Sequence, residues 1–187
     1  MGHGGNVINE LMTDHREVEE LFGKIGALSF GDKDRKVYAD QVTMELVRHS
    51  VAEEEYLYPA VRKYLANGNA IADRETDDHS RAEQIMKDLE SCEAGDPEFD
   101  RLIGMLMTEI RAHIADEEQN LFPMLRVAAT PETLDDLGDK VRRAKKVAPT
   151  RPHPSAPDKP PANKMLAPGA GLVDRLRDAL SGRGKLD

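Results

Sequence analysis

The sequence contains little cysteine and few aromatic residues, and these shortages exclude several classes of fold and site. One of the 187 residues is cysteine, none is tryptophan, and 4% are aromatic. The single Cys92 can form neither an intrachain disulfide nor a cysteine zinc site. Alternating stretches of β-branched and aromatic residues are also scarce, which argues against a β-sandwich or barrel. The composition instead favours one globular all-α domain with spare length for a tail.

The chain also lacks membrane and secretion signals. No apolar run approaches the roughly 18 residues that a membrane helix requires, and the mean hydropathy is -0.59. The first ten residues lack the basic and apolar regions of a secretory signal, and Asn6 stands where a myristoylation signal has Ser or Thr. We therefore expect a cytoplasmic protein with no membrane partner.

Charge is divided unevenly along the chain. Residues 1–137 carry 14 basic and 30 acidic side chains, a net charge of -16. Residues 138–187 carry 12 basic and 5 acidic side chains, a net charge of +7, so the formal net charge of the chain is -9. The acidic body argues against a nucleic-acid partner, because it would repel phosphates. We expect the basic tail to lie against this body, and a protein partner that binds the tail is the alternative.

Apolar residues at three- and four-residue steps, together with capping signals, predict five helices in the body. The predicted ranges are 6–28, 32–67, 71–93, 96–128 and 130–146. Residues 1–147 are thus expected to form an antiparallel up-down four-helix bundle with an additional fifth helix. Pro59 and Pro123 fall inside the second and fourth helices, where a proline removes a hydrogen bond and is expected to kink the helix.

The rest of the chain is expected to form a proline-rich tail. Residues 149–168 hold 7 of the 11 prolines, so residues 148–168 are predicted to be an extended linker. Apolar residues at 172, 173, 176 and 180 predict a short amphipathic helix within residues 169–187, docked on the bundle.

An internal repeat with an offset of 64 residues organises the polar residues of the predicted core. The repeated pairs are His15 with His79, His49 with His113, Glu53 with Glu117, and Pro59 with Pro123. Because this period matches one helical hairpin, two such hairpins are predicted to pack around an approximate two-fold axis.

The repeated histidines lie on the apolar stripes of four different helices, and two are followed four residues later by a glutamate on the same helix face. Burying four imidazoles and two carboxylates in one core is costly unless they are paired. A metal supplies that partner, since it binds neutral imidazole and ionised carboxylate together. Buried His–Glu hydrogen bonds in an ordinary bundle are the alternative. The predicted metal ligands are His15, His49, Glu53, His79, His113 and Glu117.

This mixed nitrogen and oxygen set suits iron or manganese, with zinc as an alternative. Two ferric ions would bring about six positive charges, more than two glutamates and an oxo bridge cancel, so further acids are expected nearby. Glu75, Glu19 and Glu83 lie four residues from a predicted ligand histidine. They form a second tier, which either ligates the metal or accepts a hydrogen bond from a ligand histidine.

Tyr56 follows His49 and Glu53 on the same predicted stripe and is the candidate catalytic residue, as a ligand, hydrogen-bond donor or electron source. A core tyrosine with a satisfied hydroxyl is the alternative. Glu54 and Glu118 lie roughly 140° around the helix from the preceding histidines and are predicted at the bundle edge or in solvent. His3 and His153 lie near the chain ends and are expected to take no part in the site.

These motifs resemble the hemerythrin-like, or HHE cation-binding, family. The family pattern is His, His-x-x-x-Glu, His, His-x-x-x-Glu, which this chain shows over residues 6–128 at the predicted ligands. The resemblance implies two non-haem iron ions in a four-helix bundle, joined by the two glutamates and a bridging oxo or hydroxo group. The acidic body, linker and terminal helix further resemble the actinobacterial hemerythrin-like proteins.

The resemblance also bears on activity. Oxygen-carrying hemerythrins have a histidine where this chain has Glu75, and His-x-x-x-x-Asp where it has His113-x-x-x-Glu117. Both differences argue against simple reversible oxygen carriage. The implied function is to bind and react with a small diatomic or peroxide ligand in oxidative or nitrosative stress defence. If the protein is an enzyme, it is an oxidoreductase acting on peroxide, in a catalase-like reaction, or on nitric oxide. An iron- or oxygen-responsive sensor and a metal-free interaction bundle are the alternatives.

Overall fold

A computed structural model describes the chain over residues 3–156 and 162–186, and in these two stretches it contains helices, turns and loops but no strand. The helices are α1 Val7–Ala27, α2 Lys33–Ala52, α3 Tyr58–Tyr64, α4 Gly68–Leu89, α5 Pro97–Asp116, α6 Phe122–Ala128, α7 Pro131–Val147 and α8 Ala162–Ser181. Two π-helical turns, Glu53–Leu57 and Glu117–Leu121, join α2 to α3 and α5 to α6. The all-α prediction is confirmed.

Capping residues define where the helices begin. The side chain of Asn6 accepts a hydrogen bond from the Asn9 N–H at the start of α1. Asp32 and Thr130 play the same part for α2 and α7, and each satisfies a backbone donor that the first helical turn leaves unpaired. The starts of these helices were therefore readable from the sequence.

Two apolar clusters form the core, and the polar layer that carries the repeated histidines lies along the same helices. The first cluster fills the end of the bundle formed by α1, α2, α4 and α5 around Phe22, Phe99 and Leu106, all fully buried. The second gathers residues from α1, α3, α6 and α7, including Leu11 and Val141. Helix α7 covers this second end by packing on α1 and α2.

The C-terminal segment, residues 148–156 and α8, docks on the bundle through its polar side. Asp174 and Asp178 of α8 are buried, and Asp178 Oδ1 lies 2.8 Å from an Arg151 nitrogen. Arg183 reaches back to Asp40 of α2 at 3.3 Å and to Glu90 beyond α4 at 3.5 Å. The Asp178–Arg151 pair thus joins two parts of the tail, while Arg151 and Arg183 form the ion pairs that reach the acidic body.

The apolar residues that predicted the terminal helix face outward instead. Leu172, Val173, Leu176 and Leu180 are 50–90% exposed. Helix α8 also begins earlier than expected, at Ala162, and runs through Pro168, so part of the predicted linker is helical. Residues 157–161 of that linker lie outside the described residues. Nowhere in the described stretches does a helix combine the length and apolar character needed to cross a bilayer.

Candidate metal centre

The four repeated histidines and two repeated glutamates meet in one buried layer of the bundle. His15, His49, His79 and His113 come from α1, α2, α4 and α5 and are 2–6% exposed, while Glu53 and Glu117 are fully buried. Glu53 Oε2 lies 3.2 Å from the Nε2 atoms of both His49 and His79. Each predicted ligand thus reaches the same small volume.

Glu117 is placed in the same way on the other side of the layer. Its Oε2 lies 3.4 Å from His15 Nε2 and 3.6 Å from His113 Nε2. Each of the two glutamates therefore contacts one histidine from each half of the chain. Ligand atoms of His15, His49, Glu53 and Glu117 all lie within 4.8 Å of one another, as do those of Glu53, His79 and His113.

Each of these imidazoles also has a carboxylate behind it, which is hydrogen-bonded to Nδ1 in His15, His49 and His79 and is an ionic contact without a hydrogen bond in His113. The Nδ1 atoms lie 2.8–3.1 Å from an acidic oxygen, in the pairs His15–Glu118, His49–Asp14, His79–Glu54 and His113–Glu75. A carboxylate on Nδ1 fixes the ring orientation and leaves Nε2 available for a metal. The arrangement therefore directs four Nε2 atoms toward the two central glutamates.

Three of the outer carboxylates also contact a cation. Asp14 pairs with Lys145 of α7. Glu75 pairs with Arg74 at 2.9 Å and Glu118 pairs with Arg16 at 2.5 Å. These contacts offset part of the cost of burying negative charge beside the histidines.

The π-helical turns explain which side chains follow the central glutamates. The Tyr58 N–H donates to the Glu53 carbonyl, five residues earlier, and the Phe122 N–H does the same to Glu117. Each turn lies directly before a proline, Pro59 or Pro123, which occupies the first turn of the next helix. The wider turn adds one residue to the helical repeat and rotates the positions that follow it.

This rotation corrects the prediction for Tyr56. Tyr56 is half-buried against the second apolar cluster, while Tyr58 is buried at the site, with its hydroxyl 3.0 Å from His79 Nε2 and 3.4 Å from Glu53 Oε2. The sequence did carry a signal, because an aromatic residue precedes the repeated proline in both halves, as Tyr58 and as Phe122.

Of the second tier, only Glu75 lies at the site. Glu19 forms an ion pair with Arg111 at 2.9 Å at the bundle surface. Glu83 accepts a hydrogen bond from the His153 N–H at 2.7 Å. A four-residue spacing puts each glutamate near its histidine along the helix, but neighbouring arginine and tail residues offer these two acids partners away from the centre.

Glu54 and Glu118, predicted at the bundle edge or in solvent, lie partly buried and contact the site. Their side chains are only 12% and 19% exposed, and each binds a histidine of the opposite half. Asp14, which carries no signal in the repeat pattern, binds within its own half by accepting a hydrogen bond from His49. An angle around a single helix does not include such contacts, because these acids reach across to an adjacent helix.

Protons and charges in the metal-free cluster are strongly coupled. Burial lowers the pKa of His79, but hydrogen bonds with Glu53 and Glu54 outweigh it and raise the pKa to about 10. Burial and the nearby negative charges of Glu53 and Glu117 raise the pKa of the Tyr58 hydroxyl well above its ordinary value, so this group remains a donor. Positively charged imidazoles balance the central carboxylates here, a task that a metal would take over.

The donor set fits a metal. Within the described residues, His15 Nε2, His113 Nε2, Glu53 Oε1 and both carboxylate oxygens of Glu117 are buried without a hydrogen-bond partner. Such atoms are costly to leave unpaired, and bound cations would supply the partners that they lack. Imidazole and carboxylate donors in this mixture suit iron and manganese, with zinc possible.

Comparison with known proteins gives a consistent result. Residues 6–125 match the Hemerythrin HHE cation binding domain. An uncharacterised hemerythrin-like protein of Schizosaccharomyces pombe is 30% identical over 175 residues, which is 93% of this chain and 86% of that protein. A DNA nickase of Nostoc is 26% identical over 140 residues, 75% of this chain but 39% of that protein.

A solved structure shares the fold. The crystal structure of a hemerythrin HHE cation binding domain-containing protein of Mycobacterium kansasii superposes with a TM-score of 0.66 at 20% identity, over 75% of this chain and 85% of that one. With the buried His–Glu layer and the match over residues 6–125, the chain belongs to the hemerythrin HHE cation-binding domain family.

Proposed function

We propose that this layer binds two iron ions and that the loaded protein reacts with small oxidants. The observation that carries the proposal is the convergence of four imidazole Nε2 atoms on two buried glutamates. The proposed ligands are oxygen, hydrogen peroxide and nitric oxide. The proposed role is defence against oxidative or nitrosative stress. Peroxide dismutation is the leading candidate for the reaction.

The arrangement of the histidines supports two metals rather than one. The rings of His15 and His49 have centroids 5.1 Å apart, and those of His79 and His113 are 4.9 Å apart. Each half of the chain therefore supplies one imidazole pair. Glu53 and Glu117 each contact one histidine of either pair, so both glutamates would help to hold the metals.

The space beside the histidines supports the choice of ligand. A cavity of about 10 Å³, which we call the inner pocket, is bordered by all four histidines and by apolar residues such as Val18, Leu46 and Ile110. This volume is about that of one water-sized sphere, so it suits a diatomic molecule or a peroxide better than an organic substrate. Its apolar walls limit access of bulk water.

Iron bound here would supply electrons and open coordination positions to such a ligand. The protein residues have the supporting tasks: outer carboxylates orient the imidazoles, apolar side chains shield the pocket, and the Tyr58 hydroxyl offers a proton donor beside His79.

Metal analysis tests the proposal directly. Full-length protein produced with added iron is expected to hold two iron ions per chain, and His113→Ala to lose iron and the ability to consume peroxide and nitric oxide. His153→Ala, which changes a histidine outside the layer, is the control and is expected to retain both. Iron content that is negligible in the wild type, or unaffected by His113→Ala, would contradict the two-iron site.

A second candidate function is an iron- or oxygen-responsive sensor. It is favoured by the contact between the tail and α4, where Glu83, four residues from His79, accepts from the His153 backbone. If metal loading shifts α4, limited proteolysis within residues 149–161 is expected to change with iron or redox state. An unchanged cleavage pattern argues against sensing.

A further inference from the structure

A second and larger cavity lies on the outside of the metal layer. This outer cavity has a volume of about 130 Å³ and is enclosed by α2, α4 and the C-terminal segment. Its rim includes Leu166, which is 55% exposed, and its depth includes the buried residues Met86 and His79. The cavity therefore leads from the protein surface to the outer side of His79, one of the proposed metal-binding histidines.

The outer cavity and the inner pocket share two wall residues. Ser50 and His79 border both. His79 is held by its contacts with Glu54 and Glu53, and Ser50 is the smaller of the two shared wall residues.

The sequence repeat places different residues at the equivalent positions of the other half. The repeat partner of Ser50 is Ile114, which borders the inner pocket but not the outer cavity. The repeat partner of Ser80 is Arg16, whose guanidinium covers the Glu118–His15 pair. At the equivalent Glu54–His79 pair, Ser80 is a short wall residue of the outer cavity. Two serines thus stand where the other half of the chain has two larger side chains.

We propose that the outer cavity is the route by which small uncharged ligands reach the metal centre, and that Ser50 sets the size limit. This inference rests on the proposed function. The walls are mainly apolar, with Val51, Met86 and Ala167 among them, and carry the carboxylates of Glu54 and Glu83. Such a lining favours a neutral diatomic molecule or undissociated hydrogen peroxide and disfavours anions.

The outer cavity can be tested without any reaction at the metal. Crystals of the full chain pressurised with xenon are expected to show a xenon site against Ala167 and Met86, because apolar cavities of this size bind xenon. Ala167→Leu is expected to abolish that site. The matched control is Ala179→Leu on the exposed face of the same helix, which is expected to keep it. Absence of xenon from the wild-type cavity overturns the route.

The size limit is tested by rapid mixing of the iron-loaded protein with nitric oxide. Ser50→Ile, which copies the residue of the other half, is expected to slow nitric oxide association by about tenfold at unchanged iron content, as expected for a closed passage. Ala167→Leu is expected to slow it as well, and Ala179→Leu to leave it unaltered. Equal association rates in Ser50→Ile and wild type overturn the inference.

These two measurements separate the inference from the proposed function. If the wild-type protein binds no iron, the proposed function fails, and the xenon experiment still reports whether the outer cavity admits small apolar molecules. If iron binds and nitric oxide reacts equally fast in all variants, the two-iron centre stands and the route is wrong.

Discussion

Tyr58 and Phe122 occupy equivalent positions in the two halves of the chain, but only Tyr58 places a hydroxyl at the metal layer. The Tyr58 oxygen lies 3.0 Å from His79 Nε2, whereas the Phe122 ring stacks on His15 with centroids 5.9 Å apart. The two histidines thus have different surroundings, one beside a proton donor and the other beside an apolar ring.

Replacing this hydroxyl tests its role. Tyr58→Phe is expected to reduce the unfolding free energy of the metal-free protein by about 1 kcal/mol, the typical net value of one hydrogen bond, and to leave iron stoichiometry unchanged. Urea unfolding and metal analysis measure the two effects. Tyr64→Phe, outside the layer, is the control. A Tyr58→Phe protein as stable as the wild type would show that the hydroxyl bond contributes nothing.

The outer carboxylates are expected to strengthen metal binding through the histidines they orient. Glu54→Gln and Glu118→Gln should each weaken iron affinity by roughly tenfold to a hundredfold, measured by competition with a chelator. Glu19→Gln is the matched control, since Glu19 pairs with Arg111 at the surface. If all three variants bind iron as the wild type does, the carboxylates have no part in the centre.

Metal binding is expected to release protons and to tighten as pH rises. The pKa of His79 lies at about 10 without metal, and that of His49 is raised well above 6.5, so both imidazoles carry a proton at neutral pH that a metal must displace. Titration calorimetry in buffers of different ionisation enthalpy counts the protons released. Affinity that is independent of pH between 6 and 8 would contradict this balance.

The stability of the metal-free protein should depend on pH in both directions. Because the pKa of His79 is raised, its contribution to the unfolding free energy is fully present below pH 6.5 and is lost as the pH rises through about 10. The lowered pKa of Glu53 gives stability that is present above 4.5 and is lost as pH falls. Urea unfolding across this range is expected to show a maximum between the two limits, and a monotonic profile would be inconsistent with it.

The attachment of the tail is expected to depend on Asp178. This buried carboxylate accepts from the Thr150 hydroxyl at 2.5 Å and pairs with Arg151. Asp178→Asn should therefore increase proteolytic cleavage within residues 149–161, because it removes one of the two carboxylates that pair with Arg151, the other being Glu90. Asp135→Asn at the exposed surface of α7 is the control. Equal cleavage of the two variants would show that this ion pair does not hold the tail.

Much of the fold was predictable because local signals and global packing agree. The caps at Asn6, Asp32 and Thr130 and the prolines at the helix starts place most boundaries within a few residues. The 64-residue repeat selects the six residues that the structure brings together, since identical spacing in two packed hairpins puts equivalent side chains in one layer.

The remaining features depend on contacts between helices or on deviations from regular helix geometry. Tyr58 replaces Tyr56 at the site because a π-helical turn adds a residue, which an ideal helical period does not include. Glu54 and Glu118 turn inward because each accepts a hydrogen bond from Nδ1 of a histidine on another helix. The orientation of α8 does not follow from its amphipathic pattern, because its buried aspartates bind residues 150–153 of the same C-terminal segment and so turn the polar face inward.

The polar attachment of α8 has a consequence for how the protein responds to its medium. Dissolved salt weakens interactions between charges near a surface, but it does not weaken the apolar packing around residues such as Phe22 and Leu106. Raising the ionic strength should thus loosen the C-terminal segment while the bundle stays intact. Since that segment forms one wall of the outer cavity, the exposure of the His79 side of the centre to water is coupled to the salt concentration.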